Sequence, residues 1–305
     1  MIRAADFRRS YGAVRAVDGV SFAVGKGKIA GFLGPNGAGK TTTIKAFIGF
    51  LAPSEGALFI NGLNTELHPL ETKAVIGYLP ENNPLYEDME VADYLLYNGA
   101  VRGLAGQKLD RAVKNAVERC GLGEVIGRDI GELSRGYRQR TGLANAIVHD
   151  PPVLFLDEPT GGLDPNQAEG VRMLIRELGR EKTILFSTHM LEEARRVCDE
   201  LLVIARGRLV AQGPAAKVLG GEESCALTLC GDIDEAAVRA RLSALAGVTR
   251  CESARSGGET RFTVSAPGND LRRAVYSASV ENGWPVLELK KEASSLEDVF
   301  RSLTS

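Results

Sequence analysis

Short apolar runs closed by glycine or proline recur through the first two thirds of the chain. Residues 29–33 are apolar around Gly31 and lead straight into a glycine-rich turn. Residues 153–156 and 183–186 are nearly continuous apolar runs, the pattern of strands in a parallel sheet covered on both faces. Residues 20–24 and 57–61 read as further strands, with Gly25 and Gly62 as punctuation. Residues 166–180 carry helical periodicity between two of these runs. Strands alternating with helices predict a parallel α/β sheet. Residues 201–205 and 208–212, joined at Arg206-Gly207, predict a closing hairpin.

Between Tyr86 and His149 the strand pattern disappears. Leu95 and Leu96, then Leu109, Val113 and Val117, fit helix faces, so residues 86–150 read as a helical insertion. Residues 213–224 are rich in Gly, Ala and Pro and place a domain boundary. The expected division is a large domain over 1–218 and a small α+β domain over 224–305. In the small domain the order is strand 225–229, helix 235–245, strand 248–253, strand 261–265, helix 271–281 and strand 286–290. That β-α-β-β-α-β order predicts a ferredoxin-like unit. A last helix, 296–303, follows the capping pair Ser294-Ser295. No chemistry is legible in this second domain.

Composition narrows the function classes. The 305 residues hold 37 Lys+Arg and 39 Asp+Glu, a net charge of -2. Nucleic-acid binders carry a clustered basic excess, so that balance argues against them. The 5 cysteines (Cys120, Cys198, Cys225, Cys230, Cys251) are scattered without a CxxC, and read as reduced thiols. No run approaches the roughly 20 apolar residues that span a bilayer. Residues 1–6 lack a signal peptide's apolar stretch. The expectation is a cytoplasmic protein whose membrane role, if any, comes through a partner.

The turn after residues 29–33 carries the first candidate chemistry. Gly34-Pro35-Asn36-Gly37-Ala38-Gly39-Lys40-Thr41 fits the phosphate-binding pattern G-x-x-x-x-G-K-[ST], with Thr42 next in line. Glycines let backbone N–H groups turn inward around phosphate oxygens. Lys40 neutralises the β/γ charge, the Thr41 hydroxyl suits Mg²⁺, and a helix opening at Lys40 adds its positive dipole end. A random chain of this length matches the pattern about 0.01 times. A nucleoside triphosphate is therefore the expected ligand.

Further motifs separate the triphosphate enzymes. Residues 154–156 run into Asp157-Glu158-Pro159, placing two carboxylates at the end of a buried strand. Asp157 is suited to hold Mg²⁺, and Glu158 to orient or deprotonate an attacking water. Leu133-Ser134-Arg135-Gly136-Tyr137 precedes a helical stretch ending near His149, with Ser134 as N-cap. Such a helix start is either an ordinary cap or a second phosphate site.

Together these motifs resemble the ATP-binding subunits of ABC transporters, over roughly residues 5–213 and in the family's order. Leu133–Tyr137 looks like the family's signature, Gly162-Leu163-Asp164-Pro165 like its D-loop, and His189 like its switch histidine. Tyr11 lies where the family places an aromatic that stacks on adenine. The resemblance implies an ATPase with ATP and Mg²⁺ as ligands, and a head-to-tail homodimer. Each ATP would lie between Lys40, Thr41, Asp157, Glu158 and His189 of one subunit and Ser134 and Gly136 of the other. It also implies a separately encoded multi-span permease, and a place on the inner face of the cell membrane. For His68 and His149, outside every motif, a structural role is expected.

The chain departs from the family after the strand at 76–79. Most members carry a Gln there that ligates Mg²⁺, where this chain has Glu81. Residues 76–86 and 133–140 look like the bacterial type-2 exporter branch, closest to subunits associated with gliding motility. An exporter motor is the leading reading. A soluble ABC ATPase acting on DNA or ribosomes would carry a long coiled coil or two cassettes, neither of which is present. A non-catalytic regulator would have no use for Glu158 and His189 together.

Overall fold

The computed structural model describes residues 1–219, 223–231, 233–266 and 270–293. Two compact units divide the chain, the first spanning Met1–Ala216 and the second beginning at Lys217. The first unit opens with β1 (Ile2–Tyr11), β2 (Val14–Val24), β3 (Ile29–Leu33), α1 (Lys40–Phe47), β4 (Glu55–Ile60), β5 (Leu63–Asn64), α2 (Pro69–Ala74) and β6 (Ile76–Leu79). Three helices follow: α3 (Val91–Val101), α4 (Gly106–Cys120) and α5 (Arg135–Ile147). Then come β7 (Val153–Asp157), α6 (Pro165–Leu178), β8 (Thr183–Thr188), α7 (Leu191–Val197), β9 (Glu200–Ala205) and β10 (Arg208–Pro214), and the short α8 (Ala215–Val218) straddles the boundary at Ala216.

The central sheet has 6 strands in the order β10-β9-β3-β8-β7-β6. All its neighbours run parallel except the hairpin of β9 and β10. β7 shows why its sequence is apolar throughout. Val153 and Phe155 enter a core shared with α1 and the N-terminal strands, whereas Leu154 and Leu156 enter one shared with α3 to α6. In the first core Phe155 stacks on Phe47 at 5.3 Å, and Phe47 meets Phe22 at 5.9 Å. Each fully buried ring of this kind stabilises the fold by about 1.5–3 kcal/mol. Between β6 and β7 the described residues form α3, α4 and α5 and no named strand.

A second sheet, β2-β1-β4-β5, is antiparallel and covers the same face as α1. The sequence reading missed β1 and began β2 too late. Bulges in β1 explain the omission: its register slips between Ala4 and Phe7, and Asp6 adopts φ 47. The buried residues therefore fall at Ile2, Ala4 and Phe7 rather than in strict alternation. α6 starts one residue earlier than expected. Asp164 caps it by accepting from the N–H groups of Asn166 (3.0 Å) and Gln167 (2.9 Å), and Pro165 takes the first helical position.

The second unit contains β11 (Glu223–Cys230), α9 (Glu235–Ser243), β12 (Arg250–Ser256), β13 (Glu259–Ala266), α10 (Arg272–Glu281) and β14 (Val286–Ala293). Its sheet is antiparallel, in the order β12-β13-β11-β14. Leu227, Leu229, Phe262 and Val264 form a core with Val238 and Leu242 of α9 and Val275 of α10. The helix expected at 296–303 lies outside the described residues.

Candidate functional site

The site forms where β3 and β7 end and α1 begins. β3 delivers its last residue, Leu33, into the turn 34–39. A side chain at Gly34 would come within 2.3 Å of the Ile204 carbonyl oxygen. Gly39 adopts φ +109, and a Cβ there would lie 2.6 Å from the Ala16 carbonyl oxygen. Backbone conformation and close approach both demand glycine at Gly39. A cavity of about 500 Å³ opens beside this turn, lined among others by Asn36, Gly37, Lys40, Thr41, Thr42, Glu81, Glu158 and His189.

Lys40 is buried. Its Nζ donates to the carbonyl oxygens of Gly34 at 2.7 Å and Pro35 at 3.2 Å, and lies 3.5 Å from Glu158 Oε1. The other carboxylate oxygen of Glu158 sits 2.9 Å from His189 Nδ1. Glu158 is thus held between the P-loop lysine and the strand-end histidine. Its backbone has φ 48, a left-handed conformation costly for a non-glycine residue. Its N–H donates to Ser187 Oγ at 2.9 Å, which fixes that turn.

Asp157 lies directly beneath. Its Oδ1 accepts from Thr41 Oγ1 at 3.1 Å and from Ser187 Oγ at 2.5 Å. Its Oδ2 is buried without a hydrogen-bond partner. Burial pushes the Asp157 carboxyl above the usual range, while its hydroxyl partners pull the other way and the charges of Glu81 and Glu158 add to the rise. An orphaned carboxylate oxygen next to the Thr41 hydroxyl and within the field of Glu81 is an oxygen donor set suited to a hard divalent cation. Among the described residues no three His, Cys, Asp or Glu side chains form a metal cage by themselves. A small cation held by few protein ligands, with phosphate oxygens and water completing its shell, fits that pattern.

Two expected groups lie elsewhere. Tyr11 is 46% exposed under the Arg9 guanidinium, 4.9 Å from its ring centre, and is not among the cavity's lining residues; Ala16 is. Ser134 caps α5 by accepting from the Tyr137 N–H at 3.4 Å, and Gly136 packs on Gln167. Neither Ser134 nor Gly136 lines this cavity. Arg135, between them, does line it and donates to the Gly161 carbonyl oxygen at 3.1 Å. Sequence reasoning also missed Ser187, whose register opposite Asp157 on β8 is the signal that could have found it.

The ABC transporter family model matches residues 17–161. A Nod factor export ATP-binding protein I from Burkholderia lata is 37% identical across 98% of this chain and 96% of its own length. The chain belongs to the ABC transporter family. A Nod factor export ATP-binding protein I from Ralstonia nicotianae is 35% identical across 97% of this chain and 91% of its own. The ABC transporter ATP-binding protein NatA of Bacillus subtilis is 37% identical over 69% of this chain and 87% of its own. A solved ATP-binding subunit of an ABC transporter matches 72% of this chain and 91% of its own, with TM-score 0.65 and 30% identity. The dimeric cassette MJ0796 has the same fold, with TM-score 0.65 at 21% identity. This ABC chain is accordingly an ATP-binding subunit with ATPase activity, and no described helix is long and apolar enough to cross a membrane.

Proposed function

We propose that this chain is the motor of an exporter: it binds Mg²⁺-ATP as a homodimer and drives a separately encoded multi-span permease. The observation that carries the hydrolytic half is Glu158, held between Lys40 Nζ at 3.5 Å and His189 Nδ1 at 2.9 Å at the wall of the P-loop cavity. Export is favoured by the relatives from Burkholderia lata and Ralstonia nicotianae, both of them Nod factor export ATP-binding proteins.

The residues divide the work as follows. Backbone N–H groups of Asn36, Gly37 and Gly39 and the N-terminal end of α1 receive the phosphates. An arriving γ-phosphate competes with Glu158 for Lys40 and frees that carboxylate for the attacking water. Glu158 accepts the water's proton or aligns it, while the β–γ bridging P–O bond breaks to give ADP and phosphate. His189 keeps Glu158 oriented and faces the γ-phosphate. Thr41, Asp157 and Glu81 would hold Mg²⁺, which when bound neutralises charge on the β and γ oxygens. Ser134 and Gly136 would grip the γ-phosphate of the partner's nucleotide, so that binding closes the dimer and hydrolysis releases it.

The test is steady-state ATPase activity of the purified chain beside Glu158→Gln. The variant should bind ATP as well as the parent but turn over about 10²–10⁴-fold more slowly. Equal turnover in both would refute the assignment.

A further inference from the structure

Glu193, in α7, is 2% exposed. Burying a carboxylate costs several kcal/mol unless its oxygens find donors. Here both do. Thr160 Oγ1 donates to Oε1 at 2.5 Å, and Thr188 Oγ1 makes a short hydrogen bond to Oε2. Arg172, whose charge reaches Glu193 through space, is itself hydrogen-bonded to Glu169. The carboxylate is thus engaged by two hydroxyls, not by an ion pair with that guanidinium.

Those hydroxyls belong to the two segments that carry the hydrolytic pair. Thr160 follows Glu158 by two positions, in a turn closed by Gly161 N–H donating to Glu158 O at 2.9 Å. Thr188 immediately precedes His189, and its hydroxyl also accepts the Met190 N–H at 3.0 Å, bracketing the histidine on both sides. The His189 side chain is 51% exposed, so packing alone does not hold it against Glu158. One buried carboxylate spans both backbones.

We propose that Glu193 is a positioning residue for ATP hydrolysis, tying the turn after Glu158 to the strand end before His189 so that the two side chains stay in contact. This inference rests on the roles proposed above for Glu158 and His189. A displacement of about 1 Å in a catalytic group costs on the order of 10²-fold in rate.

The test uses the purified full-length chain with Glu193→Ala, Glu193→Gln, His189→Ala and the pair Glu193→Ala/His189→Ala. Glu193→Ala should lower kcat about 10–100-fold with KM for ATP little changed, as for an interaction that matters in the transition state. Glu193→Gln, which keeps one oxygen acceptor, should fall between. Because Glu193 acts through His189, adding Glu193→Ala to His189→Ala should cost little more. Unchanged kcat in Glu193→Ala would overturn the proposal. So would losses that multiply in the pair, or a change confined to KM. Should thermal melting show that Glu193→Ala does not fold, Thr160→Val/Thr188→Val asks the same question with the carboxylate in place. Full turnover there refutes the tie, and a kcat loss supports it. Glu158→Gln runs alongside: undiminished turnover in that variant overturns the functional reading itself, whereas its loss beside a fully active Glu193→Ala overturns only the role of Glu193.

Discussion

Glu81 lines the cavity beside the phosphate turn, and its consequence is electrostatic. Its charge adds to the field that raises the Asp157 carboxyl, behind burial as the main cause. Removing that charge lets Asp157 ionise at lower pH. Glu81→Gln should therefore remain an active ATPase, with the acid limb of its pH–rate profile moved to lower pH. An acid limb that stays put, or a loss as complete as that of Glu158→Gln, would contradict this account. At this scale legibility follows from chemistry. Lys40, Asp157 and Glu158 are proposed because phosphate and water chemistry dictate residue types next to strand ends, and His189 because Ser187-Thr188-His189 resembles the family's switch segment. Glu193 could not be read, because an acidic residue in the first turn of a short helix looks like an ordinary dipole partner. Only the tertiary fold brings Thr160 and Thr188 to it.

At the scale of elements, the end of α5 is pinned to β6 by one side chain. His149 Nε2 donates to the Ile76 carbonyl oxygen at 3.0 Å, which leaves its Nδ1 buried and unpartnered. Burial first, then the nearby charges of Arg102 and Lys182, push its pKa down from 6.5 to about 4. A depressed folded-state pKa contributes stability that is present above the unfolded value and is lost as pH falls toward 4. The urea midpoint of the parent should therefore drop between pH 6.5 and 4 by more than that of His149→Asn. Parallel curves for the two proteins would show that His149 is not the group responsible. Element types were legible wherever one residue pattern served one face or two full faces, as in β7, β8 and β3. β1 was lost to its bulges, and α7 to its brevity, since seven largely polar residues carry no period. The early start of α6 is written in Asp164-Pro165, a cap followed by a first-turn proline that the resemblance to a D-loop masks.

For the whole molecule, the proposal makes a demand about company. An export motor without a membrane-spanning helix among its described residues needs a permease to act upon. Gentle solubilisation of host membranes with the tagged chain should recover a multi-span protein in near-equal amount, identified by mass spectrometry. Recovery with soluble proteins only, while ATP is still hydrolysed, would separate the ATPase from transport.

The walls of the phosphate turn come from far apart in the chain. Gly207 N–H donates to the Ala38 carbonyl oxygen at 3.0 Å, Asp18 N–H donates to the Gly207 carbonyl oxygen at 2.8 Å, and β3 is flanked by β8 and β9. The turn leaves the ribosome well ahead of the residues that hold its shape, which are made roughly 170 positions later. At synthesis rates of about 5–20 residues per second, that is a wait on the order of ten seconds or more. A nascent chain truncated before β9 would carry the whole nucleotide motif and still be unable to grip a nucleotide.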